Sequence, residues 1–264
     1  MNKRLFPLFA ATLLALPSMA QQVDFNIASR KASEVTALNF TPIGMPQGTS
    51  YIFSLGELQI TLDTPVKNQL IKSNWFKQGI QQGDRLTSDG IVVYPSDGSQ
   101  AHLRLTIKGL KPGHHSLLAY HNIVDGLTGD IPTLQVALEK ETLVPQKKGR
   151  KNIVKTVKSQ DILAKDVKQS VREMKASLSG QSYIEFDVTN DKPVVIHYQL
   201  QNVDNSNNSL TINGLVFDKA NPKATALNPS PADDDLHVAA NDGKATLRWD
   251  AGEKAKQHIV YLGT

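Results

Sequence analysis

The stretch Leu103–Asn122, LRLTIKGLKPGHHSLLAYHN, decides the fold class. Residues Leu103–Lys108 alternate apolar and polar side chains, which is the period of a strand with one buried face. Residues Gly109–Gly113 have turn chemistry, because proline fixes φ and glycine tolerates positive φ. The run Ser116–Tyr120 that follows is apolar on both faces, which is typical of a strand in the middle of a sandwich. The stretch therefore predicts a central β-hairpin.

Short strands of the same kind recur along most of the chain. About ten of them lie between residues 23 and 218, separated by turn clusters and with no long amphipathic helix, which predicts an all-β fold. We interpret residues 21–218 as a β-sandwich of the jelly-roll type. The side-chain alternation changes phase at Gly214, which predicts a β-bulge there.

One region of this unit does not follow the strand pattern. Residues Lys140–Lys175 are strongly basic and poor in aromatic side chains. One interpretation is a solvated excursion with one or two strands or a short helix, for which Gln160–Lys168 is the candidate. The other is a surface that binds a polyanion.

The first twenty residues have the pattern of a signal peptide. Lys3 and Arg4 precede the apolar run Leu5–Leu16, and small residues follow at Ser18-Met19-Ala20. A transmembrane helix needs about 20 apolar residues, and this run is shorter and is broken by Pro7 and Pro17. We expect an exported protein that is periplasmic, on the cell surface or extracellular. The chain has no cysteine, so it is neither disulfide-bonded nor a lipoprotein.

The net charge limits which classes of binding partner are expected. It is +4 over 264 residues, and two of these charges belong to residues 1–20. The remaining excess is small and does not favour nucleic acid as a partner.

The C-terminal part predicts a second unit. Residues 219–229 read as a linker, and residues 230–264 contain strand patterns at His237-Val238, Ala245–Trp249 and His258–Leu262. Trp249 is at the position where an Ig-like or fibronectin-type sandwich has a core aromatic, but such a domain needs about seven strands. We expect either that further domains of a longer parent chain follow or that the tail packs on the first unit.

Several segments resemble a known class of module. Asp24-Phe25-Asn26-Ile27 with Arg30-Lys31 and Ser33–Thr36, then Leu105–Asn122 and Leu210–Asp218, resemble an N-terminal β-sandwich of large secreted proteins from polysaccharide-degrading bacteria. These modules are similar to malectin-like and galactose-binding-like domains. The tail from Asn228 resembles the first half of a fibronectin type III repeat.

The resemblance implies an exported, non-catalytic module that binds or positions a polysaccharide or oligosaccharide. It implies no cofactor, although a structural Ca²⁺ held by Asp24, Glu34 or Asp218 is typical of related sandwiches. The alternatives are a structural spacer or protein-interaction module and a polysaccharide lyase or hydrolase domain.

A sugar site needs an aromatic ring and a few placed polar groups. The candidate ligand-binding residues are Trp75, His121, Asn122, Asp125 and Asp130. Each has a structural interpretation as well, because Trp75 and His121 are compatible with core packing and the others with turns.

Enzymatic and metal-binding interpretations have weaker support. The chain lacks a G-x-S-x-G nucleophile motif. A lyase base would be His121 with Tyr120, but neighbouring strand residues face opposite ways. The same rule separates His114 from His115, so we expect no metal ligands there and no catalytic residues.

Overall fold

The computed structural model describes residues 21–148, 151–201, 207–222, 224, 226–231, 243–252 and 256–257. Within them are two short α-helices, α1 (Ala32–Val35) and α2 (Lys77–Gln81), and one 3-10 helix, Ala176–Leu178. The strands are β1 (Gln22–Ile27), β2 (Thr41–Met45), β3 (Ser50–Leu55), β4 (Leu58–Asp63), β5 (Gln69–Trp75), β6 (Asp89–Pro95), β7 (His102–Lys108), β8 (Gly113–Ile123), β9 (Leu134–Lys148), β10 (Lys151–Val167), β11 (Ser170–Val171), β12 (Gly180–Val188), β13 (Val194–Leu200), β14 (Leu210–Ile212), β15 (Gly214–Phe217), β16 (Leu227–Ser230) and β17 (Arg248–Asp250).

The strands form four sheets. Sheet I has the order β11-β8-β15-β1-β2, with β12 also paired to β8, and sheet II has the order β10-β9-β13-β7-β4-β3. Sheet III is β14-β6-β5, and sheet IV is the pair β16-β17. Most neighbours are antiparallel, although β1 and β2 run parallel. The prediction of an all-β sandwich is confirmed.

One apolar core joins sheets I, II and III. The fully buried side chains of Leu105 in sheet II, Leu117 in sheet I and Ile91 in sheet III belong to the same cluster. Phe25 of β1 meets Phe53 of β3 edge to face, with ring centroids 6.0 Å apart. Burying each side chain of this size contributes about 1.5–3 kcal/mol, so this shared core stabilises the sandwich.

A smaller apolar cluster covers the other face of β8. Leu118 and Tyr120 of β8 pack there with Leu86 and Val216. Strand β8 is therefore buried on both faces, as its sequence predicts.

The prediction that β7 and β8 form a hairpin is wrong, because the two strands do not pair with each other. β7 pairs with β4 and β13 in sheet II, whereas β8 pairs with β12, β15 and β11 in sheet I. The Gly109–Gly113 connection crosses from one layer of the sandwich to the other. Alternation identifies a buried face but not the neighbouring strand, and two packed sheets are only about 10 Å apart, a gap that a connection of this length can span.

The basic region is a β-ribbon. β9 and β10 pair antiparallel from Lys148 and Lys151 down to Leu134 and Val167. The possible helix at Gln160–Lys168 is therefore wrong, and the excursion consists of two strands.

The phase change at Gly214 has a different cause from the predicted bulge. β14 belongs to sheet III and β15 to sheet I, so the chain changes sheets at Asn213-Gly214. A Cβ on Gly214 would lie 2.7 Å from the carbonyl oxygen of Val23. Glycine is required by this close approach of two backbones.

The tail is described only in part. β17 overlaps the predicted strand Ala245–Trp249, and the side chain of Trp249 is 37% exposed. The predicted strands at His237-Val238 and His258–Leu262 lie outside the described residues, as does the predicted signal peptide. No helix among the described residues is long and apolar enough to cross a membrane.

The inter-layer crossing generates a stability prediction. Gly109 has φ +92°, and a Cβ there would lie 2.7 Å from the carbonyl oxygen of Glu57. Gly83 has φ +98°, but a Cβ there would meet nothing within 4 Å. Both alanine substitutions carry the strain of positive φ. We expect Gly109→Ala to lower the free energy of unfolding by roughly 1–3 kcal/mol more than Gly83→Ala, because only Gly109→Ala adds overpacking.

Urea denaturation of the two variants measures this difference. Equal losses of stability would contradict the assigned contact between the crossing and Glu57.

Candidate functional site

His121 is a core residue. It is fully buried, with its Nδ1 3.0 Å from the carbonyl oxygen of Thr211 and its Nε2 2.8 Å from Ser182 Oγ. Burial lowers its pKa to about 4, so the ring is neutral near pH 7. Nδ1 then donates to the carbonyl, and Nε2 accepts from the serine hydroxyl. This placement supports neither a ligand contact nor the role of a lyase base.

Asn122 connects three chain segments and is also fully buried. Its Nδ2 donates to the carbonyl oxygens of Thr87 and Glu173 at 2.7 and 2.8 Å. Its Oδ1 accepts from Ser170 Oγ at 2.7 Å and from the Glu173 N–H at 3.0 Å. The amide has four hydrogen bonds to protein groups, so its function is to hold the structure together.

Trp75 and Asp130 have different surroundings. The Trp75 ring is half-buried at the end of β5, with the guanidinium of Arg30 4.6 Å from its centroid. Asp130 is exposed in the loop after β8, where its backbone carbonyl accepts a hydrogen bond from Asn207.

Asp125 lies in a polar cluster at the end of β8. Asn74 Nδ2 donates to Asp125 Oδ1 at 2.6 Å, and Tyr94 Oη donates to Asp125 Oδ2 at 2.6 Å. Asn74 Nδ2 is also 3.3 Å from Tyr94 Oη. The carboxylate is thus held between β5 and β6.

Two aromatic rings and two cations extend this cluster. Lys72 Nζ is 4.5 Å from the centre of the Tyr94 ring, and the Arg172 guanidinium is 4.8 Å from the centre of the Phe76 ring. Arg172 Nε also donates to the carbonyl oxygen of Val124, next to Asp125. We name this set the exit cluster; its members are Lys72, Asn74, Phe76, Tyr94, Asp125 and Arg172.

The exit cluster occupies one face of β5. Lys72 and Asn74 have the same parity along the strand, and Trp75 has the opposite one. Trp75 therefore points to the other side of β5 from Asp125. The structure brings only Asp125 of the five candidate residues into this cluster.

The backbone of Arg172 and the hydroxyl of Tyr94 are both constrained. Arg172 has φ +49°, a left-handed conformation that is uncommon for a residue with a side chain. Burial, with the hydrogen bond to Asp125, raises the pKa of Tyr94, so its hydroxyl stays protonated and acts as a donor.

The other members of the cluster were missed at the level of sequence. Asn74 and Asp125 are 51 residues apart, and Tyr94 and Asp125 are 31 apart. The available signal was the polar Asn74 directly before the aromatic pair Trp75-Phe76, but this pattern does not reveal which residue Asn74 binds.

A second polar network lies on the outer face of sheet II. His197 Nε2 is 3.3 Å from Glu139 Oε2, and His197 Nδ1 is 2.9 Å from His102 Nε2. Lys158 Nζ lies 2.7 Å from Glu139 Oε1. Burial lowers the pKa of both histidines, to about 4 for His102. These groups satisfy one another, which is typical of a structural network.

The three residues considered for calcium are engaged separately. Asp24 Oδ2 accepts from the Ala37 N–H at 2.6 Å, Glu34 pairs with Arg30, and Asp218 lies 3.0 Å from His115. Across the part of the chain that the structure describes, no three His, Cys, Asp or Glu side chains are grouped for a metal ion. The calcium site stays a prediction.

Asp24 has a buried acidic neighbour instead. Asp24 and Asp89 are both fully buried, and Asp89 Oδ2 accepts from the Ile27 N–H at 2.9 Å. Burial, reinforced by the charge of Asp89, raises the pKa of Asp24 to about 9. Burial also raises the pKa of Asp89 to about 8.

Neither the models of known protein families nor the curated proteins include a match to this chain.

The buried acid pair predicts how stability depends on pH. The folded state keeps protons that the unfolded chain loses near pH 4, so the free energy of unfolding falls as pH rises from about 4 towards 9. We expect Asp89→Asn to reduce the slope of this dependence between pH 5 and pH 8.5, since buried Asp24 remains as the second contributing group. Urea unfolding with a chelator present measures the effect without a contribution from bound cations.

Asp97→Asn is the matched control for this prediction. Hydrogen bonds to Ser99 and Asn68 lower the pKa of exposed Asp97, so it titrates below this pH range. If Asp89→Asn and Asp97→Asn follow the same pH profile as the wild type, the buried pair is not the cause.

Proposed function

We propose that the chain is a non-catalytic carbohydrate-binding module and that the exit cluster contacts the glycan. The observation that carries this proposal is Asp125, which Asn74 and Tyr94 hold in a fixed orientation, while Arg172 links the carbonyl of the adjacent Val124 to the ring of Phe76. A ligand site of this kind has a few positioned polar groups against apolar surface.

The chemistry of the cluster suits a sugar. A carboxylate accepts hydrogen bonds from two hydroxyls, and each oxygen of Asp125 has lone pairs beyond the one that it uses here. The cationic side chains of Lys72 and Arg172 can donate to ring and hydroxyl oxygens, whereas Asn74 uses its amide hydrogens on Asp125 and Tyr94. Arg172 and Lys72 each cover one face of the Phe76 and Tyr94 rings, and in this proposal the remaining ring area provides the rigid apolar contact for the C–H faces of a pyranose.

The location in the fold also supports the proposal. Asp125 begins the loop that follows β8, while Asn74 and Tyr94 are on strands. Binding residues are frequently on loops that a rigid sandwich positions. The export predicted from residues 1–20 places the module where polysaccharide is found, and we propose that it acts in a polysaccharide-degrading system.

Two substitutions test the proposed site. We expect Asp125→Ala and Phe76→Ala each to weaken glycan binding by roughly tenfold or more, because one loses a charged acceptor and the other an aromatic surface. Affinity gel electrophoresis against a panel of neutral and uronate polysaccharides measures the retardation, and titration calorimetry then gives the affinity for the best ligand.

Asp130→Ala is the matched control, since it removes an exposed carboxylate from the same loop. Circular dichroism melts establish that each variant is folded. Equal binding by the wild type and Asp125→Ala would exclude the exit cluster as the site. If no polysaccharide in the panel is retarded, the chain is better described as a spacer or a protein-interaction module.

A further inference from the structure

The β9–β10 ribbon extends beyond the sheet that anchors it. β13 pairs with β9 from Leu134 to Leu138, and beyond that point the described residues of β9 and β10 pair only with each other. We name the unsupported part the arm; it comprises Glu139–Lys148 and Lys151–Gln160. At a rise of roughly 3.3 Å per residue, its ten residues per strand span about 33 Å.

Large apolar side chains are exposed on both faces of the arm. Leu143 is 66% and Val154 is 65% exposed, and they are diagonal neighbours on one face. Ile153 and Val157, 38% and 39% exposed, lie on the opposite face. Single exposed apolar residues need no explanation, but a group on one short ribbon marks an interaction surface.

The same segment carries a concentrated positive charge. Between Glu141 and Asp161 the sequence has no acidic residue and six basic ones: Lys147, Lys148, Arg150, Lys151, Lys155 and Lys158. Lys147 and Lys155 are exposed in the arm.

The base of the arm is neutralised by ion pairs. Lys158 contacts Glu139 at 2.7 Å, and Lys140 contacts Asp161 at 2.6 Å. Positive charge in excess of these pairs is therefore located towards the tip, where the sequence contains no acid.

An isolated two-stranded ribbon is at best marginally stable in water. The cross-strand pairs of the arm contribute only about 0.2–1 kcal/mol each. A partner that covers the arm would stabilise it, and the side chains specify what this partner must supply. It has to offer negative charge to the lysines and an apolar phase to Leu143 and Val154.

We propose that the arm docks on the surface of an anionic lipid bilayer. The aliphatic side chains enter the boundary between headgroups and acyl chains, and the lysines contact the headgroup phosphates. An acidic polysaccharide complements the charge but offers no apolar phase for the aliphatic groups. The proposal does not depend on glycan binding at the exit cluster.

Vesicle co-sedimentation tests the proposal. The proteins begin at Gln21, because the apolar run Leu5–Leu16 would itself bind lipid. Vesicles of phosphatidylcholine alone are compared with vesicles of equal parts phosphatidylcholine and phosphatidylglycerol. We expect binding only to the second kind and progressive loss of binding as salt is added.

Two double variants separate the charged contribution from the apolar one. We expect K147Q/K155Q to weaken partitioning by roughly fivefold per lysine. We expect L143S/V154S to weaken it by roughly tenfold or more. The matched control is K31Q/K67Q, which removes two exposed lysines elsewhere and should change partitioning by less than about twofold by the same reasoning.

The other experimental outcomes also support or contradict the proposal that the arm binds an anionic bilayer. Unchanged vesicle binding by Asp125→Ala, even if that variant loses glycan, supports two separate sites. Failure to bind anionic vesicles at low salt overturns the proposal, as does equal weakening by the control. Polygalacturonate binding that requires the lysines but not Leu143 and Val154, without vesicle binding, also overturns it and identifies an acidic polysaccharide as the ligand.

Discussion

The structure depends on the close approach of three chain segments around Asn213. This fully buried amide donates to the carbonyl oxygens of Asp89 at 2.7 Å and Asn122 at 3.0 Å, and it accepts from the Asn122 N–H at 2.6 Å. One side chain thereby fixes β6 against β8 at the point where the chain changes sheets. Gly90 is part of the same constraint, because a Cβ there would lie 2.9 Å from Asn213 Cα. The geometry of the exit cluster follows from this contact: Asn74 is paired opposite Gly90, and Asp125 is three residues beyond Asn122.

The fold was predictable to the extent that burial follows from alternation. Leu103–Lys108 and Ser116–Tyr120 are buried as their patterns indicate, because side-chain direction along a strand is local geometry. The pairing of β7 with β8 was not predictable in the same way, since a short connection is compatible both with a hairpin and with a crossing between layers. For a related reason the sequence left the region of the ribbon open between one or two strands and a short helix. With solvent on both faces, β10 has no alternation of polarity for the sequence to reveal, and its lysines are compatible with an exposed helix as well as a strand.

Of the five residues that the sequence proposed as ligand-binding, the exit cluster contains one, Asp125. Asp125 follows a buried strand, and strand exits are where a sandwich presents its loops. His121 has the parity of Leu117 and therefore points into the core, as its structural interpretation held. Asn122 has the parity of Tyr120 and points away from that core, but the backbones of Thr87 and Glu173 cover it. The sequence around Asn122 does not predict this burial, because the covering segments are 35 and 51 residues away in the chain.

Net charge is a poor guide to the surface of this protein, because positive and negative residues are segregated along the chain. The total of +4 includes +2 from residues 1–20, which leaves +2 for residues 21–264. Residues 142–160 alone carry +6, so the remainder of that span carries −4. At physiological ionic strength the Debye length is about 8 Å, whereas the arm spans about 33 Å. A polyanion or an anionic surface near the tip therefore interacts with the local charge of the arm and not with the small net charge of the whole molecule.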